Sequence, residues 1–146
     1  MARPQFHNAR RKPVQLPSIY RHSSAAETML QLTPHEHLDK LLAGAGDREA
    51  WKTIKYRINE ASILAVRHFP EREDVREALA GAVRALCDIG QRYAAIARYG
   101  CSGDEFRALG LGLTWADELQ IATTRRQQLA ASVLMHTAPR RAVGTR

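Results

Sequence analysis

Few residues in this chain have the types and spacing that chemistry requires. His35-Glu36-His37, with Asp39 two positions on, invites a metal reading. Residues two apart on a helix point about 200° from each other, so the two imidazoles cannot chelate one ion. His35 and Asp39 share a face, but two ligands are too few for zinc. No metal or cofactor is therefore expected. Cys101 precedes a helix start, where a thiol pKa can fall, yet no local pattern brings a base to it. The carboxylates Glu71, Glu73 and Asp74, and the pair Asp117 and Glu118, suit helix first turns, where negative charge complements the dipole. Gly110-Leu111-Gly112 lacks the lysine and the preceding strand of a phosphate-cradling loop. Catalysis is not expected.

Nucleic-acid contact has better candidates. Leu109-Gly110-Leu111 would serve as the turn of a helix-turn-helix over 103–128. Gln120, Thr124, Arg125, Gln127 and Gln128 would then supply base- and phosphate-contacting side chains. Against this, Asp117 and Glu118 would open the recognition helix, where phosphates are repelled. A polar, solvated face on an ordinary bundle helix is the preferred reading, and the DNA-binding regulator is the alternative.

Charge sharpens the choice. Of 22 basic residues, eight lie in 1–22 and 139–146, which contain no acid; the stretch between is close to neutral. Arg10, Arg11, Lys12, Arg140 and Arg141 are thus the candidate phosphate contacts outside the helices. Basic tails steer toward phosphates without specifying sequence. The Arg-rich start resembles a mitochondrial presequence in composition. Pro4, Pro13 and Pro17 prevent the continuous helix that such a signal needs. Two cysteines without a C-x-x-C spacing fit a reduced, cytoplasmic setting, with Cys87 as a small core residue.

The positioning elements must be helices. Alanine and leucine are abundant, hydrophobic residues make up 45%, and no strand-like alternation occurs. Residues 1–26 read as a flexible basic arm, 27–138 as one helical domain, and 139–146 as a basic tail. Thr33-Pro34-His35-Glu36 predicts a helix start, with Thr33 as cap, and Gly44 and Gly46 predict its stop. Asp47 should cap a second helix over roughly 48–68, burying Trp51, Ile54, Ile58, Ala61 and Ala65. Lys52, Lys55, Arg57 and Glu60 should face mainly outward. A third helix runs from the acids at 71–74 to Gly100, with Val75, Leu79, Ala82, Leu86, Ile89, Tyr93 and Ile96 inward. Ser102 to Glu105 forms a second capping box, opening a short helix that Gly110 and Gly112 interrupt. Thr114 should cap the last helix, with Leu119, Ala122, Leu129, Val133 and His136 as its inner face. The expected fold is all-α, a small bundle of four or five helices. No stretch is apolar enough to span a membrane.

The pattern Leu38, Leu41, Gly44, Gly46, Trp51, Arg57-Ile58-Asn59, Leu64-Ala65, Ala85-Leu86, Arg92, Gly100, Leu119-Gln120 and Gln128 resembles small helical proteins of proteobacterial phages and other mobile elements. Some of these are labelled regulators of the Fis kind. The resemblance covers about residues 36–135 and carries no functional residue across. It implies a cytoplasmic, non-enzymatic mobile-element protein. The leading expectation is a self-associating helical interaction module that binds another macromolecule, such as a protein partner. The third helix, at about 40 Å, would exceed a compact 100-residue body with a radius of gyration near 13 Å. Its small residues Gly81, Ala85 and Ala94 are the candidate self-association face of a homodimer or small oligomer.

Overall fold

The computed structural model describes residues 24–137, in which five α-helices and no strand are found. They are α1 (Ser24–Leu42), α2 (Arg48–His68), α3 (Glu73–Ile96), α4 (Gly103–Ala122) and α5 (Arg125–Thr137). The segments holding Arg10, Arg11, Lys12, Arg140 and Arg141 lie outside the described residues. The all-α bundle expected from the periodicity is observed.

Several boundaries follow from local chemistry. Asp47 caps α2, its Oδ1 accepting from the Ala50 N–H at 2.8 Å. Ser102 and Glu105 form the expected capping box at the start of α4, with each side chain accepting from the other's backbone N–H. Gly44 ends α1 at φ +77°, and Ala45 N–H returns to the Lys40 carbonyl at 2.9 Å. That is a Schellman stop, which uses glycine because a left-handed residue with a Cβ is strained.

Three boundaries differ from expectation. The first helix does not begin at Thr33; it starts at Ser24 and carries Pro34 inside. The run from Ala25 to Leu32 is rich in helix formers, which lets the helix propagate across a residue that lacks an N–H. The third helix ends at Ile96, with Ala97 at φ 55°, three residues before Gly100. Nor do Gly110 and Gly112 break the fourth helix. Both lie within α4, and Thr114 is no cap: its hydroxyl donates back to the Gly110 carbonyl at 2.9 Å.

Packing explains the last point. A Cβ on Gly112 would fall 2.6 Å from the Ala82 Cβ and 2.9 Å from the Ile58 Cδ1. The glycine lets α4 close onto α2 and α3, so it is there for contact and not for a turn. α2 touches all four other helices, α3 packs most extensively on α4, and α5 packs chiefly on α2. The core contains Leu41, Ile54, Ile58, Leu64, Val75, Leu79, Ile89, Leu109, Leu113 and Leu119, all nearly inaccessible. Tyr93 and Ile96, expected inward, are exposed because the last turns of α3 run beyond the covered part of the bundle; Cys87 is exposed as well.

Candidate functional site

The side chains with chemical potential first converge between α1, α2 and α4. Asp117 is not at a helix start but deep in α4, and its carboxylate pairs with a histidine and an arginine. The Nε2 of His35 approaches its Oδ2 at 2.9 Å, and the Nη2 of Arg57 donates to its Oδ1 at 3.3 Å. Arg57 also donates to Gln120 Oε1 and lies 3.9 Å from Glu60. Both Arg57 and Glu60, expected outward, are largely covered, with side chains 10% and 12% exposed. The hydrogen bond to Asp117 raises the pKa of His35, against the effect of burial; Asp39 adds to the rise and Arg57 opposes it. Burial raises Glu60, against the pull of Arg57 and Arg125. Opposite charges thus face one another across three helices. Such an arrangement fixes helix register more than it offers a site.

The residues proposed to read nucleic acid are mostly spent internally. Gln120 is held by Arg57. Gln128 is buried, its Nε2 donating to the Gln120 carbonyl at 2.9 Å and to the Thr123 hydroxyl at 3.2 Å; its Oε1 accepts from Arg125 at 3.0 Å. Thr124 caps α5, accepting from the Gln127 N–H while Gln127 Oε1 takes the Thr124 N–H. These side chains build the joint between α4 and α5. With 109–111 inside one continuous helix, the alternative reading of a helix-turn-helix with its turn there is not formed. Thr124-x-x-Gln127 was a readable capping box, and it marked the true break. No sequence signal announced the His35–Asp117 pair, whose members are 82 residues apart.

Among the described residues, two open surfaces bear on function. On α5, Leu129 and Val133 stand one turn apart at 47% and 59% exposure. They belong to the stripe expected inside, and α5 instead turns Gln128 and Ala131 inward. Tyr56 of α2 shares a 2.7 Å hydrogen bond with Ser132, which helps fix that orientation. On α3 the small residues do not form one free face. Ala85 is buried within its own chain, whereas Ala94 is exposed. Gly81 and Ala94 point about 140° apart at 100° per residue. The second open surface lies where the 43–47 and 97–102 loops meet, tied by the backbone bridge Gly46–Tyr99.

Cys101 sits at that end, its thiol pushed up by burial and by Glu105, so it is not an activated nucleophile. Glu105 itself is held low: burial pushes it up, but Arg92 and the Ser102 cap outweigh that. Arg92 clamps both Glu105 oxygens at 2.9 and 2.8 Å. Among the described residues, no group of three metal-ligating side chains occurs. No helix among them is long and apolar enough to cross a membrane. In comparisons with known proteins, no family model, curated protein or solved structure matches the chain.

Proposed function

We propose that the chain is a helical interaction module that pairs with a second copy of itself through the outward face of α5. The observation that carries this is the exposure of Leu129 and Val133 on a helix whose opposite face is already packed and pinned. Exposed apolar side chains in a row lose water-contacting area when covered, at roughly 25 cal/mol per Å². An antiparallel pair of α5 helices is self-complementary, because each Leu129 meets the other copy's Val133 across a two-fold axis. The face suggested by Gly81, Ala85 and Ala94 is weaker, since Ala85 is already used within the chain. A cytoplasmic role in a mobile element, as the sequence resemblance implies, belongs to the same reading. So does the binding of a further protein partner by the paired module.

Light scattering on the full chain tests self-pairing. The expected mass is twice 16.4 kDa, falling to the single-chain value in Val133→Glu. Because Val133 is exposed, that variant keeps its helical circular dichroism. A wild-type mass of 16.4 kDa overturns the proposal, as does a doubled mass unaffected by Val133→Glu.

A further inference from the structure

Two hollows flank the Arg98 side chain where the loops meet. One, of about 290 Å³, is bordered by Leu41, Arg92, Cys101 and Ser102. The other, of about 270 Å³, is bordered by Asp47, Arg48 and Tyr93. Gly44, Arg98 and Tyr99 border both, so the two form one depression around a guanidinium. Its floor is aromatic. The rings of Tyr93 and Tyr99 stack at 3.9 Å with 8° between their planes, and Tyr99 in turn lies 5.8 Å from Trp51. Trp51 is anchored by its N–H to the Leu86 carbonyl at 3.1 Å and fills the space above Gly90. Tyr93 is therefore a flat surface held in place from behind, while 38% of the residue is exposed.

The cations at this depression divide in two. Arg92 is committed to Glu105 and to the Gly100 carbonyl. Arg48 and Arg98 have no carboxylate partner among the described residues. The one acid on the second hollow, Asp47, spends an oxygen on the α2 cap. A rigid exposed ring beside uncommitted guanidinium groups suits a ligand with a planar base and an attached phosphate. The base stacks on the ring, and the phosphate takes the planar fork of arginine.

We propose that this depression binds a nucleotide unit, with the base on Tyr93 and the phosphate on Arg98 and Arg48. The site is on the loop end and does not depend on how α5 is used. The same chemistry is offered by a free nucleotide and by a single-stranded nucleic acid, so the test needs both.

Tryptophan fluorescence of the full chain is titrated with adenosine monophosphate, adenosine, inorganic phosphate and a single-stranded oligoadenylate. Saturable quenching by the monophosphate is expected, with adenosine and phosphate each at least about tenfold weaker. Arg98→Ala should weaken the monophosphate about tenfold and leave adenosine unchanged. Tyr93→Ala should weaken both, and Tyr93→Phe should restore them. Because Arg98 and Tyr93 are exposed, the helical circular dichroism should hold in each variant. Oligoadenylate binding much tighter than the monophosphate, and lost in Arg98→Ala, identifies a strand as the source. Equal binding per site identifies the free nucleotide. The proposal is overturned if neither probe gives saturable quenching. It is also overturned if the binding seen survives Arg98→Ala and Tyr93→Ala.

Discussion

Asp117 shows what a single carboxylate does when two helices bring a histidine and an arginine to it. Removing its charge leaves Arg57 covered, with no full charge opposite it except Glu60 at 3.9 Å. Breaking a buried pair costs about 3–5 kcal/mol, and the slight exposure of these side chains places Asp117→Asn near the lower figure. Urea denaturation should show a loss of about 3 kcal/mol, and an unchanged midpoint would refute the structural role. His35 adds a pH dependence with a definite sign. Its folded pKa lies above the ordinary 6.5, so the proton is held more tightly in the folded state. Its contribution is complete below 6.5 and fades as pH rises through the folded value. Glu60, also raised, acts in the same sense above its ordinary 4.5, whereas Glu105, held low, loses its contribution as acid is added below that value. Wild-type stability should therefore fall as pH rises above 6.5, and His35→Gln should flatten that fall. Little of this was legible beforehand. The spacing of His35-Glu36-His37 speaks only to chelation, and a partner 82 residues away leaves no periodicity. Arg57 was misplaced outward because a helical wheel counts charge as exposed, although a long side chain can be covered by neighbouring helices that supply its acceptors.

Among the elements, caps were readable and glycines were not. Asp47, Ser102 with Glu105, and the Gly44 stop depend on a few adjacent residues, so the sequence displays them whole. A glycine in a helix has two opposite meanings, a break or a close contact, and only the neighbouring helix decides between them. Gly112 and Gly81 separate the two cases. An added methyl at Gly112 meets Ala82 and Ile58 at distances no real contact shows, whereas at Gly81 it meets only the far end of Arg84 at 3.8 Å. Gly112→Ala should destabilise by about 1–3 kcal/mol through overpacking. Gly81→Ala should stabilise by up to about 1 kcal/mol through helix propensity. Thermal melts of the two variants should move in opposite directions, and a shift of the same sign in both would contradict the α3–α4 crossing described above. The misreading of α5 has a similar origin. Leu129 and Val133 form a sound apolar stripe, but a stripe says only that something covers it, and within this chain the polar Gln128 won the inner position through hydrogen bonds from its amide nitrogen to the Gln120 carbonyl and to Thr123.

At the scale of the whole molecule, the helical body and the basic charge are separate. Among the described residues, every core side chain lies between Leu38 and Ala131, while residues 1–23 and 138–146 hold eight basic residues and no acid. The body between them carries 14 basic and 15 acidic residues. Its best polar candidates for base contact, Gln120 and Gln128, are already occupied. Long-range attraction to a duplex must then come from the terminal segments, because affinity for phosphates scales with the cations that displace condensed counterions. A fragment of residues 24–137 should keep a cooperative melt within about 1 kcal/mol of the full chain, since it retains all of these core side chains. Titrated with a fluorescent duplex at two salt concentrations, that fragment should show no binding. Any affinity of the full chain should fall steeply with salt, roughly one logarithmic unit of slope per phosphate neutralised. Duplex binding by the fragment at equal strength would place the contact on the helices and overturn this division of labour. Collapse of the fragment's melt would show instead that the terminal segments pack on the body.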